Sequence, residues 1–142
     1  MTVQLPSSEV DVCRDETIPA TVPNDTRPGS TARVKPTVVQ NRFYEKTGYD
    51  RDLRAFCRDR GIVYQSFWTL TANPHLLVQP AITEVADASR RTPAQILFRY
   101  LTQTGVTPLT GTTSHQHMRE ALDIFDFTLG TQDCAAIDAL LN

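Results

Sequence analysis

RTPAQILFRYLTQTGVTPLTGTT, from Arg91 to Thr113, is the stretch whose reading decides the fold. Thr92 precedes Pro93, and Gln95 stands three residues after Thr92. That is a capping box with proline at the first helical position. Ile96, Leu97, Tyr100 and Leu101 recur at helical spacing, and Gly105 closes the helix. Val106 to Leu109 then reads as a short strand. Thr110-Gly111-Thr112-Thr113-Ser114 follows as a loop, with Ser114 capping a new helix. Helix, glycine, strand and helix in succession make one unit of an alternating α/β protein.

Working outward, the same alternation recurs. KPTVVQNRFY, Lys35 to Tyr44, holds a β-branched run at Val38 and Val39. Asp50 is expected to cap a helix with Leu53, Phe56 and Cys57 on one face, Arg58 and Arg60 in its last turn and Gly61 as its stop. GIVYQSFWTL, Gly61 to Leu70, supplies a second strand over Ile62 to Phe67, read as apolar and aromatic and buried on both faces. Thr71 to Gln79, with Asn73-Pro74, reads as a long loop. Ile82, Val85, Ala86 and Ser89 mark a helix before Thr92. Beyond Ser114, a helix carrying Met118, Leu122 and Phe125 is expected. Thr131 opens a last helix with Cys134, Ile137 and Leu141. From Val34 onward this is about three βα units and a C-terminal helix: part of a (β/α)₈ barrel, too few strands to close one. Such a set leaves sheet edges and apolar faces open.

Residues 1–33 differ. Pro6, Pro19, Pro23 and Pro28 are spread among Ser, Thr, Asp and Glu without a sustained period. The stretch reads as a disordered extension outside the fold, and residues 34–142 as the folded part.

The 142 residues suffice for a single core, and a net charge of −2 with scattered basic residues argues against nucleic acid. Cys13, Cys57 and Cys134 are far apart, as expected of reduced thiols, with Cys57 and Cys134 at apolar helical positions. No apolar run approaches membrane-span length and no signal-peptide core is present, which points to a soluble, cytoplasmic protein.

Few residues alone announce chemistry. His115-x-His117 offers two metal ligands where a site needs three or four, so two solvated histidines are the plainer reading and no metal is expected. Tyr44, Tyr49, Tyr64 and Tyr100 have no adjacent Lys–Asp partnership. Thr110 to Ser114, ahead of a helix, fits a phosphate at the helix N-terminus and a simple hydroxyl cap equally well.

KPTVVQNRFY, LRAFCRDRGIVYQSFWTL, RTPAQILFRYLTQTGVTPLTGTT and HMREALDIFDFTLGTQDCAAIDAL, in that order, resemble the C-terminal part of the aldo-keto reductases, from about Lys35 to the end. The resemblance implies a TIM barrel reducing carbonyls with NADPH or NADH at its C-terminal face. It implies that Gln40 meets the nicotinamide carboxamide, that Phe67 falls where the family has an aromatic, usually tyrosine, stacking under the nicotinamide, that Thr112 and Thr113 meet the adenosine phosphate, and that Glu120 lies beside the adenosine. Departures are as informative. Gly111, His117 and Ala121 stand where many members have lysine, arginine and asparagine. Each missing cation removes a charge-assisted contact of about 1.5–3 kcal/mol to a 2′-phosphate. The family's catalytic tyrosine, lysine, aspartate and histidine have no matching positions, so no catalytic residue is assigned.

The expectation is therefore a truncated oxidoreductase, catalytically deficient alone, with weak cofactor binding. The alternatives are a scaffold subunit, completed as a homo- or hetero-oligomer, and a small enzyme repurposed in a secondary-metabolite pathway.

Overall fold

The computed structural model describes residues 36–141. The extension expected over 1–33, with Cys13, lies outside them. Three strands, β1 (Val38–Arg42), β2 (Val63–Phe67) and β3 (Val106–Pro108), form one parallel sheet in the order β1-β2-β3. Val39 pairs with Tyr64 and Tyr64 with Val106, while Gln40 pairs with Gln65 and Arg42 with Phe67. Between and after the strands run α1 (Arg51–Asp59), α2 (Pro80–Ser89), α3 (Pro93–Gln103), α4 (His115–Leu122) and α5 (Thr131–Asp138), with short 3-10 turns at Glu45–Asp50, Leu76–Val78, Asp123–Asp126 and Ala139–Leu141.

The core centres on α3. Ile96, Leu97 and Leu101 are fully buried and pack with Ile82 and Ala86 of α2 and Ile137 of α5. Each such side chain contributes about 1.5–3 kcal/mol on burial. The capping box forms as expected: Thr92 Oγ1 accepts from the Gln95 N–H, and Gln95 Oε1 accepts from the Thr92 N–H. Gln95 Nε2 also donates to the Glu120 carbonyl at 3.0 Å, tying α3 to α4.

Two expectations are corrected. Asp50 precedes α1 but does not cap it through its side chain. Gly48, Tyr49 and Asp50 all take left-handed backbone angles, φ 57°, 51° and 53°, a run costing non-glycine residues about 1–2 kcal/mol each. This turn aims the carboxylate inward, where it accepts from Tyr64 Oη at 2.6 Å and Asn41 Nδ2 at 2.7 Å.

Burial on both faces fails for β2. Tyr64 and Ser66 are buried, whereas Val63 is 45% exposed and Gln65 and Phe67 are half-buried. The polar residues at 65 and 66 already broke the apolar run, and helices among the described residues cover one face only.

α4 carries Met118 and Leu122, with Phe125 in the 3-10 turn that follows it. None of the α4 residues is buried, and Leu122 and Phe125 stay about half-exposed, at 50% and 48%. They border an apolar cavity of about 300 Å³ beside β3, shared with Phe98, Met118 and Thr112.

The expected loop Thr71–Gln79 holds the Leu76–Val78 turn and is fixed by buried Asn73, whose Nδ2 donates to the Phe43 and Thr69 carbonyls at 2.7 and 2.9 Å.

Candidate functional site

Parallel strands bring their carboxyl ends to one edge; Phe67 and the Thr110–Ser114 loop lie at those ends, while Gln40 sits mid-strand and Glu120 on α4. Gln40 lies on β1 with its side chain exposed on the open face of the sheet. Phe67 ends β2 on that same face, directly across from Arg42. Alternation along the strands makes Gln40, Arg42, Gln65 and Phe67 one surface. Thr112 is half-buried in the loop after β3, and Thr113 is exposed. Glu120 sits on α4, half-buried, its carboxylate accepting from Gln116 Nε2 at 2.8 Å.

The Thr110–Ser114 loop acts as a cap. Thr112 Oγ1 accepts from the Ser114 N–H at 3.1 Å, and Ser114 Oγ accepts from the His117 N–H at 3.3 Å. As acceptor, Thr112 still has its own hydroxyl hydrogen to give an anion outside the loop. The cap and a phosphate contact are thus compatible. A side chain at Gly111 would meet nothing within 4 Å, so the absence of lysine there is not forced by crowding. His115 and His117 are both exposed.

Three of the four tyrosines are committed elsewhere. Burial, reinforced by the hydrogen bond and charge of Asp50, holds Tyr64 well above the usual phenol range. Burial and Asp138 do the same for Tyr100, whose hydroxyl donates to the Asp138 carboxylate at 2.6 Å. The Tyr49 hydroxyl lies 3.1 Å from His75 Nε2. Burial and then Asp50 push the Cys57 thiol up to about 11, and Cys57 is fully buried, as its position predicts. Cys134 is only partly buried.

Arg42 was missed from sequence. Its guanidinium carbon lies over the rings of Tyr44 and Trp68, 4.5 Å from each centroid. Trp68 is 54% exposed. The available signal was the two-residue step from Gln40 to Arg42, which places both on one face; the contribution of Trp68 from the next strand left no local trace.

A family model described as the aldo/keto reductase family matches residues 41–142. An aldo-keto reductase of Mycolicibacterium vanbaalenii is 39% identical over 89 residues, covering 63% of this chain and 32% of the relative. Glyoxal reductase of Bacillus subtilis is 31% identical over 109 residues, covering 77% of this chain and 39% of the relative. Among solved structures, a mutant of Gox0644 in complex with NADPH superposes with TM-score 0.66 at 28% identity, over 75% of this chain and 39% of that one. MGS-M4, an aldo-keto reductase from a Medee basin deep-sea metagenome library, superposes with TM-score 0.68 over 80% of this chain and 42% of its own; at 21% identity it supports the fold alone. The chain thus spans about a third to two fifths of the length of these relatives.

Proposed function

The chain belongs to the aldo/keto reductase family, and from that premise we propose that residues 36–141 form the coenzyme-facing side of an NAD(P)H-dependent carbonyl reductase site. Gln40 would meet the carboxamide, Phe67 the nicotinamide ring, Thr112 and Thr113 the adenosine phosphate, and Glu120 the adenosine. The observation that carries this reading is that Gln40 and Phe67 share the open face of one parallel sheet, with Thr112 in the loop that follows its third strand. The cofactor supplies hydride to a carbonyl carbon. The residues named here hold and orient it.

Alone, the chain is proposed to be catalytically deficient. A carbonyl oxygen must receive a proton from a positioned acid as hydride arrives. Tyr64 and Tyr100 hold their protons against carboxylates inside the helix layer, and the one lysine among the described residues, Lys46, is solvent-exposed. We expect NADPH to bind at roughly 100 µM or weaker, near −5.5 kcal/mol. Gly111→Lys, for which space exists, should strengthen NADPH over NADH by about tenfold through a charged phosphate contact. Calorimetry on the purified chain checks both, and glyoxal, named for the Bacillus subtilis relative, is a suitable carbonyl for a turnover assay. A submicromolar complex would remove the weak-binding reading. No binding at millimolar NADPH would remove the cofactor site, and NADPH consumption by the native chain would remove the deficiency.

A second reading, a subunit completed by a partner or a second copy, is favoured by exposed Val63, Leu122 and Phe125 beside the sheet. Light scattering tests it: a strictly monomeric, well-folded chain counts against it.

A further inference from the structure

We propose that Arg42, with Tyr44 and Trp68, forms an oxyanion-binding fork at the rim of β1 and β2, taking a carboxylate or phosphate group. Arg42 is a half-buried cation on the open face, two residues beyond Gln40 and across from Phe67. Among the described residues no carboxylate pairs with it, and its buried Nε has no hydrogen-bond partner. Its guanidinium carbon lies over the Tyr44 and Trp68 rings, each 4.5 Å away. Those contacts are electrostatic attractions to ring faces and consume no N–H donor. They restrict the side chain while its terminal N–H groups remain available, and a planar guanidinium matches a carboxylate or phosphate two bonds at a time.

Trp68 adds a second observation. It takes φ 58°, in the left-handed region where bulky residues are outliers. Strained backbone of this kind clusters at ligand-binding positions. Here it puts a half-exposed indole within reach of Arg42, and the edge of the Phe67–Trp68 pair, 6.4 Å between centroids, continues the same surface. The anion can come from two sources: a carboxylate on a carbonyl substrate held beside the nicotinamide, or the pyrophosphate of the cofactor. That choice of sources rests on the cofactor reading above, but the fork itself does not.

Trp68 is the only tryptophan of the chain, so its emission reports directly on the fork. At fixed ionic strength, titration with succinate, with pyrophosphate and with neutral succinamide is read by Trp68 fluorescence. At least one anion should give a saturable change and succinamide none. Arg42→Gln should raise the anion midpoint about tenfold or more. A lower midpoint for succinate identifies a substrate carboxylate, and a lower midpoint for pyrophosphate identifies the cofactor. A flat response to both anions, an equal response to succinamide, or an unchanged midpoint in Arg42→Gln overturns the proposal. If that variant does not fold by circular dichroism, the contrast between anions and succinamide on the native chain decides the matter alone. Anion binding without NADPH binding would leave the fork standing and remove the cofactor site; the reverse would do the opposite.

Discussion

The two faces of one three-stranded sheet behave as different materials. On the helix-covered face, Val39, Tyr64 and Val106 are 2–4% exposed, and the buried Asp50 carboxylate is paired with Tyr64 and Asn41. On the other face, Gln40 and Val63 are exposed, Gln65 and Phe67 are half-buried, and Arg42 faces aromatic rings in place of an acid. Strands of identical direction and register therefore serve two ends. One face holds the fold by close packing, while the other leaves polar and aromatic groups uncovered by the described residues. The packed and the open face are separated by a single residue step along each strand.

The strongest way to break this comparison is to damage the packed side. Leu97→Ala removes a fully buried side chain of α3 and should cost about 2–5 kcal/mol in urea unfolding. A cost under 1 kcal/mol would mean that the helix layer is not the stabilising face.

A smaller effect comes from pH. The native Cys57 thiol titrates at about 11, above its ordinary value of 9.0, so the folded state holds its proton more tightly than the unfolded chain. Its contribution is complete below pH 9 and is lost as pH rises from 9 to 11. The loss is on the order of 2 kcal/mol and should be absent in Cys57→Ala, which has its own fixed packing cost. Parallel pH profiles of unfolding for the two proteins would contradict this.

The smallest effect is expected on the open face. Val63→Thr, at a position 45% exposed, should change stability by no more than about 0.5 kcal/mol. A larger loss would show that this face is buried in solution, against a partner or a second copy.

Local signals carried much of the architecture. The capping box of Thr92 and Gln95 is legible because both halves lie within four residues, and it fixes where α3 starts. The spacing of Ile96, Leu97, Tyr100 and Leu101 likewise announces the buried face of α3. Of the proposed site residues, Gln40, Phe67, Thr112, Thr113 and Glu120 came from motif order; Gln40 and Phe67 share the open face of the sheet, and Thr112 lies in the loop after β3. Asp50 shows where local reading stops. An aspartate before a helix is ordinarily its cap, but the left-handed turn over Gly48 to Asp50 hands its carboxylate to Tyr64 of the next strand. Periodicity has a similar limit in α4: it places Met118 and Leu122 on one side of the helix without recording what covers them.

The sequence by itself determined which segments are helix and which are strand, their order, and the family they belong to, because periodicity, capping and motif order are properties of neighbouring residues. Only the tertiary structure decided which sheet face is covered, where the Asp50 carboxylate is held, and that Arg42 meets Trp68. Those outcomes depend on groups brought together across strands, and no pattern along the chain records which distant side chain will arrive.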